Sequence, residues 1–223
     1  MINIAIDGPA GAGKSSLSRL LAKDLGYIYV DTGALYRAVG LKFSMKGFDT
    51  ELKGDIAEVL GETAVDIRFI DGAQRVFLDG KDVSDDIRTP TASMMASAVS
   101  AKPEVRAFLL DMQRGLAQRN NVVMDGRDIG TVVLPDAKVK IFLTADVEVR
   151  AERRYKELCE KGQQVDFADV LEEMKVRDYN DSHRPIAPLK QADDAILADT
   201  SGFEFEQSLE LILKIINEGI KNK

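Results

Sequence analysis

A single cysteine and a single histidine are all that this 223-residue chain has of either. Cys159 has no partner for an internal disulfide, so the chain is no small stapled module, and a reducing, cytoplasmic compartment is expected. It sits in a charged, helix-like stretch and needs no redox role. His183, between Ser182 and Arg184, reads as a solvated side chain rather than a catalytic base. No apolar run approaches the roughly 18 residues of a membrane span. The first such run is interrupted by Asn3 and Asp7, which leaves no secretory apolar region. There is no excess of basic residues: 30 Lys and Arg stand against 37 Asp and Glu, a formal charge of −7. A nucleic-acid partner is therefore not expected, because such binding needs a basic face to displace counterions, and any anion site must be local. No internal repeat or low-complexity linker is present.

What the chain does have is a 45% apolar content, enough at this length for one large domain or one domain with insertions. Its most informative segment is Gly8-Pro-Ala-Gly-Ala-Gly13-Lys14-Ser15, directly after the apolar stretch 2–7. It matches G-x-x-x-x-G-K-[ST] in a strand-then-helix context. Gly8, Gly11 and Gly13 lack a Cβ, so the backbone can take positive φ and turn its N–H groups onto an anion at a helix start. Lys14 is then expected to reach the β- and γ-phosphates of a polyphosphate, and the Ser15 hydroxyl to sit where Mg²⁺ bridges them. The alternative, a chance glycine turn, requires the pattern, the strand before it and the helix 16–25 after it to coincide by accident.

Short apolar runs alternate with longer periodic segments, which signals a parallel α/β sheet. Core strands are expected at 2–7, 27–31, 121–125, 139–143 and 195–198, nearly continuous apolar runs suited to burial on both faces. Helices are expected at 15–25, 33–46, 147–161 and 203–221. Ligands should lie at the carboxyl ends of the strands. Between the second and third strands, about ninety residues change character. The runs 65–70, 75–78 and 81–83 alternate in β fashion around Asp71-Gly72 and Asp79-Gly80, a small antiparallel meander. Segments 91–100 and 103–118 follow it. In the second, Val105, Phe108, Leu109, Met112 and Leu116 form a helical stripe that reads as core. The insertion should belong to the same folding body.

A phosphate loop alone does not separate a kinase from a switch or a nucleotide sensor. Arg37, Arg127, Arg177 and Arg184 stand at expected loop or helix-start positions, and a planar guanidinium fork suits phosphate. Each alone is more usually a surface charge. Arg150, Arg153 and Arg154 share a helix face, which could close over a polyphosphate or pair with Glu148, Glu152 and Glu157. Asp125 could hold Mg²⁺ through water or cap the turn at 126–128.

Taken together, Asp7-Gly-Pro-Ala-Gly-Ala-Gly-Lys14, Asp31-Thr-Gly-Ala-Leu-Tyr-Arg37, Ile87-Arg-Thr89, Asp125-Gly-Arg-Asp-Ile-Gly-Thr131 and Arg177-Asp-x-x-Asp181-x-x-Arg184-x-x-x-Pro188-Leu189 resemble bacterial-type cytidylate kinases over essentially the whole chain. The first motif is shared by many nucleotide-binding proteins; the second and fourth together are specific. The resemblance implies one nucleoside monophosphate kinase domain. Its sheet would be five-stranded, parallel and of the P-loop NTPase type, with flanking helices, a small antiparallel β insertion in the monophosphate-binding region and a helical lid. Core segments would be about 1–40, 120–150 and 190–223, the insertion about 41–119 and the lid about 151–189.

The same resemblance implies ATP as phosphoryl donor, with Mg²⁺, on Gly8, Pro9, Ala10, Gly11, Ala12, Gly13, Lys14, Ser15 and Ser16. CMP or dCMP would be the acceptor. Its cytosine would meet Ser97, Arg106 and Asp128; its phosphate Arg37 and Arg127; its sugar Arg177 and Asp181. Thr32, where some relatives carry serine, would keep a hydroxyl contact near sugar or phosphate. Lys14, Arg127, Arg184, Arg150 and Arg154 would stabilise the transferring group. A carboxylate at Asp128 suits the 4-amino group of cytosine and opposes the 4-carbonyl of uracil. The expected protein is a cytoplasmic monomer with small-molecule partners, and no membrane. Rival readings are a kinase for UMP or a hydroxyl acceptor, a guanine-nucleotide switch, for which no Asn/Thr-Lys-x-Asp sequence is present, and a nucleotide-binding module without turnover.

Overall fold

The computed structural model describes residues 1–221. Its main sheet is built from β1 (Asn3–Asp7), β2 (Ile28–Asp31), β6 (Val122–Gly126), β7 (Val139–Thr144) and β8 (Ile196–Asp199), in the order β2-β6-β1-β7-β8. Every neighbouring pair is parallel, with Ile4 opposite Val123 on one side and Val139 on the other. β1 therefore lies at the centre, and its residues 4–6 are wholly buried. Its alternation sorts the two helical layers. Ile4 and Ile6 pack with Leu17 and Leu21 of α1 (Lys14–Leu25) and Ile212 and Ile216 of α8 (Phe205–Lys221). Ala5 faces the opposite layer with Met124 and Ala117 of α5 (Pro103–Arg119).

The insertion begins with α2 (Thr32–Met45), capped where the Asp31 carboxylate accepts the Ala34 N–H at 2.9 Å. It continues through α3 (Ile56–Gly61) and the antiparallel sheet β3 (Val65–Ile70), β4 (Ala73–Leu78), β5 (Lys81–Asp82). Both hairpin turns place Asp and Gly in the left-handed region, at φ 52° and 75° for Asp71-Gly72 and 49° and 82° for Asp79-Gly80, the geometry a two-residue turn needs. α4 (Pro90–Ser100) and α5 complete the insertion. Leu35, Val39 and Phe43 of α2 form one core with Val65, Val76, Val99, Val105 and Leu109, while Ile67 touches both this core and that of the sheet.

Past β7, the chain forms α6 (Val147–Glu160) and α7 (Phe167–His183), which pack on each other through Ala151, Leu158, Val170 and Met174. The sequence reading placed Arg177 beside a loop. It lies instead within α7, a helix that the many charged residues of 167–183 conceal, because only a thin apolar stripe is buried. Arg37 lies in the second turn of α2, inside the helix expected over 33–46. α3 and a single π-helical turn, Ile129–Val133, were also not expected. The expected third meander strand stops at Asp82, although the Val83 N–H still donates to Val76 O at 2.9 Å. The remaining expected elements occur within two residues of their expected ends.

Candidate active site

The C-terminal ends of β1, β6 and β2 meet at one edge of the sheet, and the candidate site is built on the loops that leave them. After β1 the chain passes so close to β7 that a Cβ on Gly8 would lie 1.9 Å from the Leu143 carbonyl oxygen, so only glycine fits. Gly11 and Gly13 take φ of 73° and 87°, the second as the left-handed cap of α1. Lys14 Nζ folds back to donate to Pro9 O at 2.6 Å. Burial, and then the neighbouring Arg127 charge, push the pKa of this ammonium well below the usual lysine range. A cation so poorly solvated is a strong attractor for an anion. Ser15 and Ser16 are exposed, and the Ser15 hydroxyl donates to Asp125 Oδ2 at 2.8 Å.

Asp125 is buried at the end of β6, and burial with the nearby Asp31 charge raises its pKa to about 6. The Tyr29 hydroxyl donates to its other oxygen at 3.2 Å. Ser15 and Asp125 thus place two hard oxygen ligands side by side, a donor set that fits Mg²⁺. Among the described residues no group of three or more His, Cys, Asp or Glu could hold a metal. An ion here would take its remaining ligands from phosphates and water, which is how Mg²⁺ is usually held beside nucleotides. Thr32 hydrogen-bonds Asp125 through the backbone, its hydroxyl donating to the Asp125 carbonyl at 2.7 Å.

The next loop is held at both ends. Asp7 accepts from the Ile129 and Gly130 N–H groups at 2.8 and 2.7 Å, while Arg114 of α5 donates to the carbonyls of Val132 and Val133 at 2.9 and 3.1 Å. Just before these anchors the turn presents Arg127 and Asp128 in opposite company. Arg127 donates to Asp181 of α7 at 2.7 Å. Arg177, one turn earlier on α7, is half-buried near Arg127, and its desolvation followed by that like charge lowers its pKa to about 10. Asp128 accepts from Arg106 at the start of α5, and Arg184 lies 3.5 Å from its other oxygen. Burial raises the Asp128 pKa despite those two cations. Arg106 and Arg184 both also reach Ser100, at its carbonyl (3.3 Å) and its hydroxyl (3.4 Å). Ser97 is half-buried one turn earlier and accepts the Ser100 hydroxyl at its carbonyl.

Arg37 pairs with Asp31 at 2.9 Å. Its Nε, like that of Arg177, is buried with no partner in the protein. Two guanidinium donors left over in this way suit an anion with several oxygens.

The three arginines of α6 diverge. Arg150 is buried and donates to Ala145 O, Ala10 O and Asp178 at 2.7, 3.0 and 2.7 Å, which ties α6 and α7 to the back of the glycine loop. Arg153 donates to Thr200 O at 2.9 Å, and Arg154 pairs with Glu157 at 2.8 Å. Of the two alternatives read from the sequence, pairing with a glutamate is the one seen at Arg154. His183 is exposed, with its ring stacked on Tyr179 at 4.0 Å, and Cys159 is exposed.

Sequence reasoning missed Tyr29, Tyr36, Ser100 and Asp178. Tyr36, whose ring lies 5.7 Å from the Arg106 guanidinium carbon, stood inside the segment 31–37, and Asp178 inside 177–184. Tyr29 and Ser100 carried no local signal.

A glycine loop between a central parallel strand and a helix, facing an arginine-rich second site, defines a phosphate-loop kinase. The family model described as cytidylate kinase matches residues 4–218. The cytidylate kinase of Caldicellulosiruptor bescii is 52% identical over 100% of this chain and 98% of its own, and that of Lactobacillus johnsonii 46% identical over 100% and 96%. The chain belongs to the cytidylate kinase family. Among solved structures, an uncharacterized protein from Eubacterium ventriosum covers 97% of this chain and 99% of its own at a TM-score of 0.54 and 15% identity, a likeness of fold.

Proposed function

We propose that this family member transfers the γ-phosphoryl group of ATP to CMP and dCMP, giving CDP or dCDP and ADP, with the site residues described above. An oxygen of the acceptor monophosphate forms the new bond to the γ-phosphorus while the bond to the β,γ-bridging oxygen breaks in line. The acceptor is already ionised, so no strong general base is needed. Catalysis is alignment and charge neutralisation. Gly8, Pro9, Ala10, Gly11, Ala12, Gly13, Lys14, Ser15 and Ser16 take the donor. Mg²⁺, held by Ser15 and through water by Asp125, neutralises phosphate charge when bound.

Arg37 and Arg127 take the monophosphate, Arg177 and Asp181 the sugar, and Lys14, Arg127, Arg184, Arg150 and Arg154 the transition-state charge. Thr32 stands beside them. Residues 1–40, 120–150 and 190–223 act as core, 41–119 as acceptor-binding insertion, and 151–189 as a lid that excludes water. We also read the protein as a cytoplasmic monomer. No helix among the described residues is long and apolar enough to cross a membrane.

The observation that carries the acceptor assignment is Asp128, a buried carboxylate flanked by Arg106 and Arg184. With Ser97 it forms the cytosine site, accepting from the 4-amino group; uracil would set carbonyl against carboxylate, leaving both without a donor. Asp128→Asn is expected to cut the preference for CMP over UMP in kcat/KM by about tenfold or more, with ATP affinity retained. Unchanged discrimination in a coupled ADP-release assay refutes the assignment.

A further inference from the structure

Asp31 ends β2, the edge strand of the main sheet. In a parallel ladder the N–H and C=O of one residue face the same side, and those of Asp31 are met by a side chain rather than a strand. The Asp31 N–H donates to Gln74 Oε1 at 2.8 Å, and Gln74 Nε2 donates to the Asp31 carbonyl at 3.2 Å. Gln74 lies on β4 next to the hairpin tip, opposite Phe69. One amide thus does the work of one residue of a missing neighbouring strand. The same Asp31 caps α2 through one carboxylate oxygen and holds Arg37 through the other, each at 2.9 Å. A chain of contacts runs from the insertion hairpin through the Asp31 backbone and carboxylate to the Arg37 guanidinium.

We propose that Gln74 is a positioning residue for the acceptor monophosphate: by clamping the Asp31 backbone it fixes the carboxylate that orients Arg37. The inference rests on the reading of Arg37 as a monophosphate ligand. Its physical ground is that Asp31 is buried, so loss of the amide leaves two backbone groups unpaired, and the backbone shifts to recover partners. Arg37 moves with it. The donor site hangs on β1 and α1 and is held by none of these bonds.

The test compares Gln74→Met, which keeps length and packing but neither hydrogen bond, with wild type, Arg37→Ala and the double variant. The expected result is a rise in KM for CMP of about five- to tenfold, the worth of one to two hydrogen bonds, with KM for ATP within about twofold. On the Arg37→Ala background Gln74→Met should add no further rise in KM for CMP, a coupling that a purely structural role does not produce. A lowered melting temperature with KM for CMP unchanged overturns the proposal, as does an equal rise on both backgrounds. If Arg37→Ala itself leaves KM for CMP unchanged, the reading of Arg37 fails first and the positioning role falls with it.

Discussion

Asp7 shows how one buried carboxylate serves two segments. It ends β1, just before the glycine loop, and its oxygens accept from the two N–H groups that follow Asp128. The position of Asp128 is therefore set from the central strand. Burial outweighs those two donors and raises the Asp7 pKa to about 6. Below pH 4 the carboxyl is protonated in both folded and unfolded chains. Between about 4 and 6 the folded protein keeps a proton that the unfolded chain releases, so stability from this group falls as pH rises through that window, and the loss is complete above 6. Asp7→Asn does not titrate. Urea unfolding at pH 4 and pH 7.5 should find the variant gaining on wild type by about 2–3 kcal/mol at the higher pH. A difference independent of pH contradicts the burial of a carboxyl with a raised pKa.

At the scale of elements, two arginines of α6 proposed for the same role, Arg150 and Arg154, differ in their setting. Arg150 is enclosed and braces both helices against Ala10 of the glycine loop. Arg154 is partly exposed and pairs with Glu157 one turn on. Removing Arg150 leaves two carbonyls and Asp178 without their donor, so Arg150→Ala is expected to cost about 3 kcal/mol in urea unfolding. Arg154→Ala should cost no more than about 0.5 kcal/mol while lowering kcat about tenfold or more if it meets the transferring group. Equal destabilisation by the two variants contradicts the separation.

The same helices show where sequence reading stops. Strands such as 122–126 and 139–144 are legible because burial on both faces leaves a nearly continuous apolar run, and the Asp-Gly turns are legible because their chemistry is local. α7 is not, because its charged residues serve tertiary pairs, Asp178 with Arg150 and Asp181 with Arg127. α3 is too short to show a period. The glycine loop could be read residue by residue, since strand, loop and helix are contiguous. The arginines could be named but not partnered. The bonds from Asp128 to Arg106 and Arg184, and from Asp31 to Gln74, join segments whose sequence distance carries no pattern.

At the scale of the whole molecule, the sheet order β2-β6-β1-β7-β8 gathers the ends of β1, β2 and β6 at one edge. The helices and hairpins of the insertion share one core, so the candidate acceptor residues on α2, α4 and α5 rest on one packed body. Family membership removes the guanine-nucleotide switch and the binding module without turnover. The central claim is that the donor loop and the Asp128 site together make a kinase for cytidine monophosphates. The direct test offers CMP, dCMP, UMP, AMP and GMP in turn with ATP and Mg²⁺ and measures ADP release. The account predicts rapid release with CMP and dCMP and at least about tenfold lower kcat/KM with the others; equal or faster release with UMP, or release that needs no monophosphate, would contradict it.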